Sequence, residues 1–222
     1  MNVTTTLSLK AGAILLACAL AGCSSKVTET KQYSGFIADY SNLAPAKTAS
    51  GQEVLRWVAP DFRLSNYKSL YFAPVIYYPK PMPNKRVTEQ TLEQVRLYTD
   101  QRLRSALGAH IRIASQPEPG GLILKTAIAA VSAENKDLRF YEVLPVTAVV
   151  AGTMALSGQR SQNATLFLEA EAIDVSTNET VAKVVRKGYG GSISNSNAPI
   201  TQADVKGAID VMISDVTAYV SN

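Results

Sequence analysis

The chain of 222 residues is poor in the side chains that most often carry chemistry, with two cysteines, one histidine and one tryptophan. Both cysteines, Cys18 and Cys23, stand near the N-terminus, so the rest of the chain has no thiol for a disulfide or a cysteine nucleophile. His110 is alone, which leaves a His-rich zinc site without ligands and gives a serine nucleophile a single choice of base. No Gly-x-Ser-x-Gly elbow occurs, and a lone histidine in a short strand reads as structural. Blocks of like charge are missing as well. The 22 Lys and Arg are interleaved with 18 Asp and Glu, so there is no basic stripe of the kind that binds nucleic acid. No apolar run reaches the ~20 residues that cross a bilayer. No metal, cofactor or catalytic residue is expected on these grounds.

What is there begins at the N-terminus. Lys10 precedes an unbroken apolar or small-residue stretch from Ala11 to Leu20, the length of a secretory h-region. Leu20-Ala21-Gly22-Cys23 follows, then Ser24-Ser25-Lys26. This run resembles the lipobox of bacterial lipoproteins. The resemblance implies cleavage before Cys23, with Leu20, Ala21 and Gly22 read by the peptidase and Cys23 acylated as the new N-terminus. One acyl chain holds a membrane marginally and two or more hold it firmly, at ~0.8 kcal/mol per buried methylene. Ser24, where an aspartate marks inner-membrane retention in such proteins, implies the outer membrane and its periplasmic face. The expected organisation is a signal peptide over 1–22, a lipidated tether over 23–32 and one globular domain over 33–222. The mature chain keeps 21 basic against 18 acidic residues, a mild +3.

Ser24 to Lys31 is nearly all polar and reads as a tether with a reach under ~30 Å. Beyond it stand Tyr33-Ser34-Gly35-Phe36, Asp39-Tyr40-Ser41, Arg56-Trp57 followed by Pro60, and a strand containing Pro74-Val75. On these features the chain resembles a family of Gram-negative lipoproteins known only as a domain of unknown function, number 3313. The resemblance covers most of the mature chain, and implies lipoprotein status and no catalytic residues.

Leu70–Tyr78 is β-branched and aromatic and reads as a strand, with Pro74 at a bulge or an edge. Thr88 caps a helix to Leu107, stapled by Val87 and Leu92. Arg102 and Arg104 are expected at its negative end, and Gly108 at its stop. His110–Ile113 and Leu122–Val131 read as strands. Leu144–Leu156 is apolar and small-residue throughout, a buried helix entered at Pro145 or a self-association face.

Thr165–Val175 and Val181–Tyr189 form a hairpin around Ser176–Glu179, and Gly188, Gly190 and Gly191 open a loop towards Pro199. Gly188-Tyr189-Gly190-Gly191-Ser192 faintly resembles a phosphate cradle, but no Lys-Ser/Thr follows. The sequons at Asn163 and Asn178 have no role in a bacterial lipoprotein. Thr201–Val220 closes the chain as a helix, with a Thr201–Asp204 capping box and an Ile200–Val205 staple.

The expected fold is α+β (or α/β), one mixed sheet of about five strands with two long helices mainly on one face. Glu169 and Glu171 share one face of their strand, ~7 Å apart by strand rise, a spacing that glycosidase carboxylate pairs also show. Their alternation with Leu166, Leu168, Ala170 and Ala172 places them on the solvated side. The reading is therefore a non-catalytic domain that docks an envelope protein or polymer. The alternatives are a self-assembling secretion-type subunit and an envelope-polymer hydrolase using Glu169 and Glu171.

Overall fold

A computed structural model describes residues 33–135, 162–194 and 197–221. The lipobox, the tether and Leu144–Leu156 lie outside the described residues. Eight strands enter one sheet: β1 (Ala44–Lys47), β2 (Glu53–Val58), β3 (Leu70–Phe72), β4 (Ile76–Tyr77), β5 (Ile113–Ala114), β6 (Leu122–Asn135), β7 (Gln162–Asp174) and β8 (Thr180–Ile193). Two long helices accompany them, α1 (Glu89–Gly108) and α2 (Gln202–Val220). The sheet order is β1-β2-β8-β7-β6-β3-β5, with β4 also on β6. The β3–β6, β4–β6 and β3–β5 pairs are parallel and the rest antiparallel, so the sheet is mixed as expected.

The expectation of about five strands was too low. β1 and β2 carried no strong period, since β1 is largely exposed and holds Pro45. The Leu70–Tyr78 run divides in two. Phe72 faces Leu124 and Ile76 faces Ala127, so four steps on one strand meet three on the other. The extra residue sits at Ala73-Pro74-Val75, the bulge that a proline inside a strand requires. There the Val75 amide turns to the Asp100 carboxylate of α1 at 2.9 Å. His110–Arg112 is not a strand: His110 is exposed in the turn after α1, and pairing begins only at Ile113.

α1 begins as expected. Thr88 accepts from the Thr91 amide, and Val87 and Leu92 are both buried. Its end differs: Gly108 is the last helical residue, and Ala109 caps it in right-handed geometry. Arg102 and Arg104 also stand short of the last turn. Arg102 instead reaches Asp210 of α2, joined there by Tyr98 and Lys206. Arg104 lies over the Phe72 ring, 4.7 Å from its centroid. In α2 the Thr201 amide and hydroxyl donate to Asp204 at 2.7 Å, closing the helix start.

Gly188, Gly190 and Gly191 belong to β8, not to a loop. A Cβ on Gly190 would stand 1.9 Å from the Asp204 carbonyl oxygen, and one on Gly188 would stand 2.5 Å from the Met212 side chain. These glycines let α2 lie against the strand, a tertiary demand with no local signature. The main core joins Leu92, Val95 and Leu103 of α1, Val205, Ile209 and Met212 of α2, and Leu122, Ile128 and Leu166 of the sheet.

Candidate functional site

Alternation along β7 and β8 gives the sheet two unlike faces. Leu168 pairs with Arg186, and Arg186 points at α2, where it forms a buried ion pair with Asp215. Its neighbour Val185 therefore faces the other way, in one row with Ile76, Ala127, Glu169 and Leu55. The next row on that side is Lys125, Glu171, Lys183 and Trp57. Side chains of alternating sign thus lie along the face away from α2.

The segment Tyr33–Leu43 covers this face, with Tyr33, Phe36, Tyr40 and Leu43 packed around buried Ile37, Leu55 and Val185. Glu169 is only 2 % exposed, because the segment satisfies its carboxylate. The Ser34 amide donates to Oε1 at 2.9 Å, and the Tyr40 hydroxyl donates to Oε2 at 2.5 Å. That hydroxyl also accepts from the Gly35 and Ile37 amides at 2.9 and 3.1 Å, so one tyrosine ties a turn to the sheet. Gly35 has φ +86°, a backbone state that only glycine adopts without strain, which accounts for its place in the Tyr-Ser-Gly-Phe run. The Tyr33 and Tyr40 rings stack at 4.1 Å.

A second clasp lies beside the first. The Lys183 ammonium donates to the carbonyl oxygens of Asp39 and Ser41 at 2.8 and 2.9 Å, and reaches the Asp39 carboxylate at 3.2 Å. It also sits 5.1 Å from the Trp57 ring centroid, a cation–π distance. The Ser41 hydroxyl and amide, and then Lys183, hold the Asp39 carboxyl down at about 2. Burial, and then the bond to Glu169, push the Tyr40 hydroxyl up to about 12. Burial also raises Tyr33, with the Glu169 charge adding to it.

This geometry corrects the sequence reading of the carboxylates. Glu169 and Glu171 do share a face, but both are buried, and Glu169 takes its partners from a remote segment rather than from solvent. Glu171 pairs with Lys125 at 3.4 Å. Lys183 and Tyr40 were missed as partners. The signal was present in the Tyr-Ser-Gly-Phe and Asp-Tyr-Ser motifs, which supply both clasps, but nothing in sequence spacing said where they dock. Cys23, Leu20, Ala21, Gly22 and Ser24 lie outside the described residues. Among the described residues no helix is long and apolar enough to cross a membrane, and no group of three or more His, Cys, Asp or Glu is placed to hold a metal.

An α+β domain whose N-terminal motifs are clasped across its sheet defines the class of protein. The family described as "Protein of unknown function (DUF3313)" matches residues 32–216, and the chain belongs to that family. It is 39 % identical over 215 residues to "Uncharacterized lipoprotein YdcL" of Escherichia coli (strain K12), covering 97 % of each chain. Among solved structures, a PelC dodecamer from Paraburkholderia phytofirmans matches at 13 % identity and TM-score 0.34, over 74 % of this chain and 95 % of that one. Protein XCC0632 from Xanthomonas campestris matches at 15 % identity and TM-score 0.39, over 80 % and 92 %. Both scores are too low to carry an argument about this protein.

Proposed function

We propose that this protein is anchored to the outer membrane through acylated Cys23 and faces the periplasm, where its non-catalytic domain docks an envelope partner close to the membrane. The observation that carries the reading is the double clasp. The segment that follows the tether is held to the sheet by Ser34 and Tyr40 on Glu169 and by Asp39 and Ser41 on Lys183. The anchored chain therefore reaches the domain at a fixed point, on the clasped face of the sheet. Ser24 after the cysteine supports the outer-membrane sorting.

Occupation of Glu169 by backbone and hydroxyl donors favours a structural role for that carboxylate over an acid–base one. In-cell crosslinking of the lipidated protein, with the Cys23→Ser form as control, tests the reading. One envelope partner recovered from the anchored form and lost from the control is the expected result. Full activity of the soluble form would overturn it.

A further inference from the structure

We infer that the segment from Ile76 to Lys85 is a membrane-contacting surface, which rests its exposed apolar side chains on the phospholipid bilayer that holds the anchor. The inference rests on the lipid-anchor reading above and adds which side of the domain meets the lipid. Ile76 is 44 %, Tyr78 41 % and Met82 64 % exposed, among the few large apolar side chains so displayed. Lys80 and Lys85 are exposed within the same stretch, and Pro79, Pro81 and Pro83 stiffen it. Apolar tips flanked by lysines are the composition of an interfacial contact, where burial in the acyl boundary and attraction to phosphate headgroups act together.

The place where the anchored chain enters the fold selects the bilayer as occupant. Ile76 shares its row with Ala127 and Glu169, and so lies on the clasped side of the sheet. The Phe36 ring lies 6.0 Å from the Tyr78 ring, centroid to centroid, so the entering segment packs directly against this surface. Ten residue steps separate Cys23 from Tyr33, a reach of at most ~36 Å at full extension. A domain of this size is about 40 Å across, so the face receiving the tether is the one turned to the membrane. Tethering places that face at an effective concentration of about millimolar or above, at which a small apolar contact is enough to set orientation.

The test uses the lipidated full-length protein in vesicles of phosphatidylethanolamine and phosphatidylglycerol, some with brominated acyl chains. Met82→Cys and, as control, Thr177→Cys in the β7–β8 turn each supply a single thiol for an environment-sensitive fluorophore. The expected result is a blue-shifted Met82 label, quenched about twofold or more by the brominated chains, and an unshifted Thr177 label. Both labels staying wet on protein that floats with the vesicles would overturn the inference. So would a Met82 label that dries only when envelope proteins are added, which would make the surface a protein-docking site. Protein that does not float and lacks the acyl mass would instead overturn the anchor reading, and this inference with it.

Discussion

The two faces of the sheet cover buried charges in different ways. On the α2 side, Arg186 and Asp215 are locked by the β1–β2 turn and by the backbone of α2 itself. The Ser50 amide and hydroxyl bind Asp215 at 2.7 and 2.8 Å, and Arg186 reaches the Met212 carbonyl oxygen and Gln52. Burial raises the Asp215 carboxyl, but the Ser50 and Arg186 hydrogen bonds outweigh it and leave the pKa below the usual range. This pair is embedded beside the main core. On the opposite side, Glu169 and Lys183 are covered by one short segment, which among the described residues shares a cluster of three buried apolar side chains with the sheet. That face combines strong polar bonds with little apolar burial, the combination expected of a unit that opens locally before the domain unfolds. The lesson is that equal burial does not mean equal commitment to the fold.

The largest effect is expected where backbone meets backbone. Gly190→Val sets a side chain against the Asp204 carbonyl oxygen and forces α2 off β8, at a cost of about 3 kcal/mol or more. Thermal melts should show a low or absent transition. Asp215→Ala leaves the Arg186 guanidinium buried without its partner, a loss of about 3–5 kcal/mol readable by urea titration. An unchanged midpoint would erase the contrast between the faces.

Tyr40→Phe removes one hydroxyl with three bonds, and should weaken the clasp by about 1–3 kcal/mol. Here the readout is local: exchange of the Gly35 and Ile37 amides should rise while α1 stays protected. Equal acceleration throughout would show that the clasp is part of the global unit.

Alkali offers the same test without mutation. The folded Tyr40 pKa lies at about 12, above its ordinary 10.0, so its contribution is complete below pH 10 and is lost as pH rises towards 12. The clasp should open over that window, and Tyr40→Phe should abolish its Tyr40 component. Acid acts on the other clasp in the opposite sense. With a folded pKa of about 2 against an ordinary 3.8, Asp39 contributes fully above that ordinary value and loses its contribution as pH falls towards 2. The smallest effect is expected from Arg112→Ala, which breaks an exposed pair with Glu118 that solvent already screens, and should leave the melting midpoint unchanged.

Elements with local signals were legible from the chain. The caps and staples of α1 and α2 lie within a few residues of what they cap, so the pattern around Thr88 and Thr201 was enough to place both helix starts. The β7–β8 turn was legible for the same reason: Asp174 accepts the Ser176 amide at 2.7 Å, and Asn178 takes the positive φ that asparagine tolerates. Gly188 and Gly190 were misread because glycine marks a flexible connection and a close approach with the same letter. Their role depends on α2, which the sequence does not place beside them.

Alternation put Glu169 and Glu171 together on one face without revealing what covers that face. The bonds that answer the question join residues 135 and 129 positions apart. Residue order alone determined the lipoprotein character, the helices, the hairpin and the family, because each rests on neighbours in the chain. Only tertiary structure decided that Glu169 is clasped rather than solvated, and that Phe36 of the clasping segment packs beside Tyr78. Those facts come from remote segments meeting across the sheet, where burial and hydrogen bonding act through space.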